Sequence, residues 1–234
     1  MSSCVLAFTP VESAIGGTLI GGSAAAMLLC YGRVLGFSGI AAKSVGPIVK
    51  SFTSPEAWRI LILVGLVSGG LVSGSFSSFP WQTIDYPPIA YALGGLVAGF
   101  GTSMGSGCTS GHGICGLGRL SLRSFGAVCT FVAAAMLTSS ALIQIYEGGC
   151  PESSFMAPLV LPASYTSLLV GAFSPVALLL VSILTAQRLP DSPIAHGAVA
   201  FFTGLTSGVG LILGGMLDQN KACAHLSLLS YLRL

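Results

Sequence analysis

Apolar residues run along this chain in six long blocks separated by short polar or glycine-rich stretches. The blocks lie at about Ser13 to Tyr31, Trp58 to Phe76, Ile89 to Met104, Leu122 to Tyr146, Tyr165 to Gln187 and Ala195 to Leu217. Each approaches the roughly 20 apolar residues that a helix needs to cross a bilayer. The pattern therefore predicts an all-α integral membrane protein of about six transmembrane helices in one domain, residues 1–234. Between the first two blocks, Gly32 to Ile40 (GRVLGFSGI) is apolar and glycine-punctuated but too short to span, so it is expected to be re-entrant or interfacial. Pro47 and Pro55 are expected to break any helix in the loop that follows, and Pro175 to kink the fifth span.

Composition agrees: 53% of the 234 residues are hydrophobic and 7% are charged, against about 25% charged in soluble domains. Mean hydropathy is +0.89. The net charge of +2, with no run of basic residues, gives no reason to expect nucleic acid as a partner. The partner that composition demands is the lipid bilayer. Orientation follows from the basic residues. Arg33, Lys43, Lys50 and Arg59 share one loop, Arg119 and Arg123 precede the fourth span, and Arg188 follows the fifth. The alternate loops carry Asp85, or Glu147 and Glu152, with Trp81 and Tyr86 suited to an interface. Basic loops in the cytoplasm and both termini outside satisfy this alternation, with Lys221 and Arg233 against it. The first 13 residues lack the basic region of a signal peptide, so the first block is expected to be a retained helix.

The seven cysteines are odd in number and four lie in or near apolar blocks, which does not suit a secreted disulphide framework. Cys30 and Cys129 are expected to pack inside helices. A Gly-x-x-x-Gly core recurs at Gly17–Gly21, Gly95–Gly99 and Gly204–Gly208, each followed by a short glycine-bearing segment. Repeated broken helices, here read as internal inverted repeats, mark transporters whose site lies near midplane.

The chemistry concentrates in Gly94 to Ser124, GGLVAGFGTSMGSGCTSGHGICGLGRLSLRS. Irregular backbone survives at membrane depth only where protein buries it or it lines a cavity. If the segment after Gly107 is helical, Cys108, His112 and Cys115 share one side. Glycines free backbone amides to form an anion-binding nest, and Thr109 and Ser110 add hydroxyl donors. Gly111 belongs to the same nest, and Arg119 and Arg123 are expected at the cytoplasmic mouth, where Arg119 either draws anions inward or anchors the helix at the interface. This inventory suits a small anion, and the thiols suit one bearing sulphur. Burial in apolar surroundings is expected to keep the thiols protonated.

Other readings of the same residues stay open. The glycines alone serve close helix packing. Cys108, His112 and Cys115 offer three soft ligands for Cu(I) or zinc, without a standard spacing or a fourth ligand. Cys108 as nucleophile with His112 as base has the right residue types for an enzyme, with no oxyanion-stabilising system or redox cofactor motif beside it. No cofactor and no enzymatic activity are expected, and without a nucleotide-binding motif no direct use of ATP.

The block Gly107 to Gly113 (GCTSGHG), followed by Gly118 to Ser121 (GRLS), resembles the hallmark of the YeeE/YedE sulphur-transport family. FTPVESAIGGTLIGG, GRVLGFSGI and GLTSGVGLILGGMLDQNKACAHL resemble its other segments, so the likeness covers nearly the whole chain. Gly214 and Gln219 depart from the family's Ser and Pro. The resemblance implies a helical transporter whose short broken helices meet at the centre and which moves thiosulphate or a related sulphur anion inward. It implies a relay by cysteines, with Cys108 matching the motif cysteine and His112 and Cys115 nearby. A cytosolic sulphur-carrier protein is the partner it implies. Larger family members continue beyond the point matching Leu234, so completion by a partner chain or homo-oligomer, or a non-transporting truncated scaffold, is also an expectation.

Overall fold

A computed structural model describes residues 9–50, 57–76, 87–145, 165–189 and 192–216. The described elements are helical: α1 Pro10–Tyr31, α2 Phe37–Lys50, α3 Trp58–Phe76, α4 Pro88–Met104, a short π-helix Gly111–Gly116, α5 Leu122–Ile145, α6 Tyr165–Arg188 and α7 Pro193–Leu213. Helices satisfy every backbone polar group within the segment, which is why apolar blocks of this length adopt them. Their ends follow local chemistry. Gly32, at φ 62°, stops α1 and donates its N–H to the Leu28 carbonyl at 2.8 Å. Ser192 caps α7, its hydroxyl accepting from the Ala195 amide, with Pro193 in the first turn.

The six expected blocks each form one long helix. Pro10–Tyr31, Leu169–Arg188 and Pro193–Leu213 are long and apolar enough to cross a membrane, while Trp58–Gly74, Pro88–Met104 and Leu122–Thr138 are shorter apolar stretches. Between the first two blocks the structure corrects the expectation. Of residues 32–50 only 32–36 are irregular, and α2 runs through Pro47 to Lys50. Proline removes a single backbone bond, and Pro47 stands in the closing turns of the helix, where that loss interrupts little. The loops carrying Pro55, Trp81, Asp85, Tyr86, Glu147 and Glu152, and the tail with Lys221 and Arg233, lie outside the described residues, as do Cys4, Cys150 and Cys223.

Helix α7 is the centre of the packing. It lies against α3, α1 and α6, and half its length is buried. The contact with α3 is backbone to backbone. A Cβ on Gly204 would meet the Ile62 carbonyl, and one on Gly65 the Phe201 carbonyl. Small residues permit this approach, and dispersion across it holds the pair where lipid supplies no hydrophobic drive. The buried hydroxyls of this core find partners: Ser23 Oγ lies 2.7 Å from Ser207 Oγ, and Thr203 donates to the Val199 carbonyl at 2.7 Å.

The three Gly-x-x-x-Gly cores are not equivalent. Gly204 and Gly208 pack on α3, whereas Gly17, Gly21, Gly95 and Gly99 face open space among the described residues. Helix α4 buries no residue at all. Cys30 and Cys129 are exposed rather than packed inside. Each stands on a side of its helix, α1 or α5, that no neighbouring helix covers among the described residues.

Candidate functional site

Two of the glycine-broken segments meet. The turn after α1 touches the short helix where Gly36 and Gly111 face each other, a Cβ on Gly111 falling 3.7 Å from Gly36 Cα. One turn further along, the Cys115 thiol donates to the Leu35 carbonyl at 3.8 Å. The third segment does not join them in its described part. Gly214 packs against Gly16, near the start of α1. That lies about 22 Å along α1 from Tyr31, by the rise of 1.5 Å per residue.

Between these two segments and the start of α3 lies a cavity of about 630 Å³. Among the described residues its walls carry Arg33, Lys43, Arg59 and Arg119 and no acidic side chain. The Trp58 ring lies between two of the guanidiniums, 4.4 Å from Arg33 and 5.3 Å from Arg59, which fixes both by cation–π attraction. Cys108, Gly111, His112 and Ser38 line the same cavity.

The backbone around Cys108 is unusual on both sides. Ser106 (φ 57°) and Leu120 (φ 52°) are non-glycine residues in the left-handed region, each at a cost of about 1–2 kcal/mol. Between them the helix is wound wide, the Leu117 N–H reaching the His112 carbonyl. That extra residue per turn explains a correction. In a regular helix Cys108 and Cys115 share a face, but here Cys115 turns away, is buried, and joins a core cluster with Leu35, Met27 and Ile62.

The Cys108 sulphur sits among donors. Ser110 Oγ is 2.8 Å away, and the Ser38 hydroxyl, the Ser38 amide and the Gly111 amide also reach it. Burial pushes this thiol up, and the hydrogen bonds from Ser110, Ser38 and Gly111 outweigh it, leaving a pKa of about 7. For Cys115 burial dominates and the pKa is raised. Burial thus governs Cys115, whereas at Cys108 hydroxyl and amide hydrogen bonds supply what a nearby charge otherwise would.

His112 is held at both nitrogens. Nε2 lies 3.3 Å from the Gly105 carbonyl, which accepts from it, and this leaves Nδ1 to accept from Ser124 Oγ at 3.1 Å. Phe131 of α5 tilts over the ring at 6.2 Å. The imidazole thus ties the end of α4 to α5 and makes no hydrogen bond to Cys108. Gly107 is required beside it, since a Cβ there would stand 2.9 Å from Nε2. Gly116 is required against Ser124, whose hydroxyl a Cβ would overlap.

Of the residues singled out in the sequence, Cys108, Gly111, His112 and Arg119 come together at the cavity. Thr109 is exposed and Arg123 is exposed, and neither lines it. Ser38 and Trp58 were missed as site residues, and Arg33, Lys43 and Arg59 were read for orientation alone. The glycine-broken GRVLGFSGI segment was the available signal. Among the described residues no group of three His, Cys, Asp or Glu side chains stands in metal-binding geometry. Cys115 faces away from the other two members of the set proposed for a soft metal.

Helices of membrane-crossing length and a cation-lined cleft built on broken helices define a membrane transport protein. Residues 5–137 match the model of the family described as sulphur transport, and the chain belongs to that family. The likeness to YeeE/YedE proteins read from the central motif is borne out. The match contains the whole cleft, from Arg33 to Ser124. The chain is similar to two proteins of Xylella fastidiosa, each named "Probable transporter". That of strain Temecula1 is 42% identical over 136 residues, which are 57% of this chain and 94% of the relative. That of strain 9a5c is 43% identical over 136 residues, with the same coverage. No solved structure matches the chain.

Proposed function

We propose that this single domain imports thiosulphate or a related small sulphur-containing anion across the cell membrane, and that Cys108 is the central contact on its path. The observation that carries this reading is the cleft: a half-buried sulphur hydrogen-bonded by Ser110, Ser38 and Gly111, in a cavity lined by Arg33, Lys43, Arg59 and Arg119 with no acidic side chain among its described walls. Cations concentrate anions before any specific contact forms. Gly111 supplies an amide, His112 and Thr109 belong to the same motif, and Arg119 and Arg123 stand at the cytoplasmic side. Cys115 contributes by fixing the turn after α1 against the short helix. The cleft shares one end of the bundle with Arg188, so the preference for cytoplasmic Lys and Arg makes it the inner vestibule. A cytosolic sulphur carrier would meet the anion there.

The test is uptake of labelled thiosulphate by cells without their own sulphate and thiosulphate import. Uptake by this chain that disappears in Cys108→Ala supports the reading. Uptake unchanged in Cys108→Ala, with both proteins present in the membrane, removes Cys108 from the path.

A further inference from the structure

Hydrogen bonding from Ser110, Ser38 and Gly111 to one sulphur exceeds what a transient contact with a passing anion requires. A neutral thiol is a weak hydrogen-bond acceptor, whereas a sulphur anion takes several donors. Ser110 Oγ lies 2.8 Å from Cys108 Sγ, a Cβ on Gly111 would stand 4.0 Å from it, and hydrogen bonds from Ser38 and Gly111 also act on that sulphur. His112 is committed to Gly105 and Ser124 rather than to the Cys108 sulphur. The sulphur opens on a cavity large enough for a small anion beside it.

We propose that Cys108 is a sulphur acceptor: its thiolate takes the outer sulphur of a thiosulphate-type anion, becoming a persulphide and releasing sulphite. The inference rests on the transport reading and adds a covalent step to it. The Cys108 sulphur attacks the outer sulphur, and a new S–S bond forms. The bond from that sulphur to the sulphonate sulphur breaks, and its electron pair leaves with sulphite. One thiolate and one dianion become one persulphide anion and one sulphite dianion, so charge and electrons balance and no outside oxidant is used. The obstacle is repulsion between a thiolate and a dianion. Arg33, Lys43, Arg59 and Arg119 oppose it, and the same cations stabilise the departing sulphite. The donors around Sγ then hold the cysteine's sulphur as negative charge moves to the terminal sulphur. Cys115 is unsuited to the step, because it is buried and directs its proton at the Leu35 carbonyl.

The experiment uses the full chain, reduced and free of oxygen, in lipid vesicles with thiosulphate. Expected are sulphite in a one-to-one ratio with protein and a mass gain of one sulphur atom on the peptide bearing Cys108. Cys108→Ser should abolish both, and Cys129→Ser, on the exposed face of α5, should keep both. Ser38→Ala and Ser110→Ala should each slow sulphite release about tenfold or more, the usual effect of removing a donor from a charged group. Thiosulphate uptake with neither sulphite nor added mass would overturn the sulphur-transfer step and leave the transport reading standing. Absence of uptake, sulphite and added mass would overturn both. Sulphite release undiminished in Cys108→Ser would also overturn the assignment.

Discussion

His112 Nδ1 lies 3.1 Å from Ser124 Oγ, and this bond joins the short helix to the first turn of α5. The same hydroxyl lies against Gly116, so one serine both accepts the helix and orients the ring. Ser124→Ala leaves Nδ1 without its donor at a buried position. The expected loss is about 1–3 kcal/mol. A lower midpoint of thermal unfolding in detergent, by several degrees, checks it, and Ser124→Thr should retain more of the wild-type stability than Ala.

The two kinds of glycine in this chain should respond oppositely to alanine. Gly204→Ala drives a methyl into the Ile62 carbonyl, and a loss of about 1–3 kcal/mol or more is expected from the overpacked α3–α7 contact. Gly95→Ala on α4 meets nothing within 4 Å. It should be neutral or stabilising by up to about 1 kcal/mol, the gain in helix propensity. The surviving monodisperse fraction after heating distinguishes the two variants. Equal losses would contradict the packing described.

Alkylation should separate Cys108 from Cys115. The charged and titratable groups lining the cavity that Cys108 also lines are Arg33, Lys43, Arg59, Arg119 and His112, and the Ser110 and Ser38 hydroxyls bond the sulphur itself. Only the thiolate reacts, so the rate at Cys108 should be small well below pH 7 and rise as pH passes through about 7. Cys115 should react far more slowly at neutral pH, being both buried and shifted upward. Mass spectrometry of the two peptides after a timed pulse gives both rates. A Cys108 profile that begins to rise only above pH 8.5, roughly the free-thiol value, would show that the donors do not act as described.

Neutralising the cleft should weaken anion capture without touching the thiol. Arg33→Gln, Arg59→Gln and Arg119→Gln are each expected to raise the apparent KM for thiosulphate uptake roughly three- to tenfold. Uptake by these variants should also depend less on ionic strength than wild type. Arg123→Gln, outside the cleft walls, should have the smaller effect. Trp58→Ala should resemble the Arg33 variant, because it removes the ring that fixes that guanidinium.

The sequence by itself determined the six long apolar helices, though not α2, and the chemistry of the central motif. Apolar runs such as Trp58 to Phe76 have one stable form in lipid, and Cys108, Gly111 and His112 stand close together in the chain. Sequence also marked GRVLGFSGI as a broken segment, since glycines in a run too short to span leave few alternatives. Tertiary structure alone decided which residues share the cleft. Arg33, Ser38, Trp58 and Arg59 reach Cys108 across at least 49 residues of chain, through the contact of Gly36 with Gly111. No local pattern encodes such a meeting, because it depends on how α1, α3 and the short helix pack. The same reason covers Cys115 and the glycine cores. Whether a thiol faces a cavity or a core depends on the wide winding between Ser106 and Leu120. Whether a Gly-x-x-x-Gly stripe binds a helix depends on a neighbour's position, and only Gly204 and Gly208 have one among the described residues.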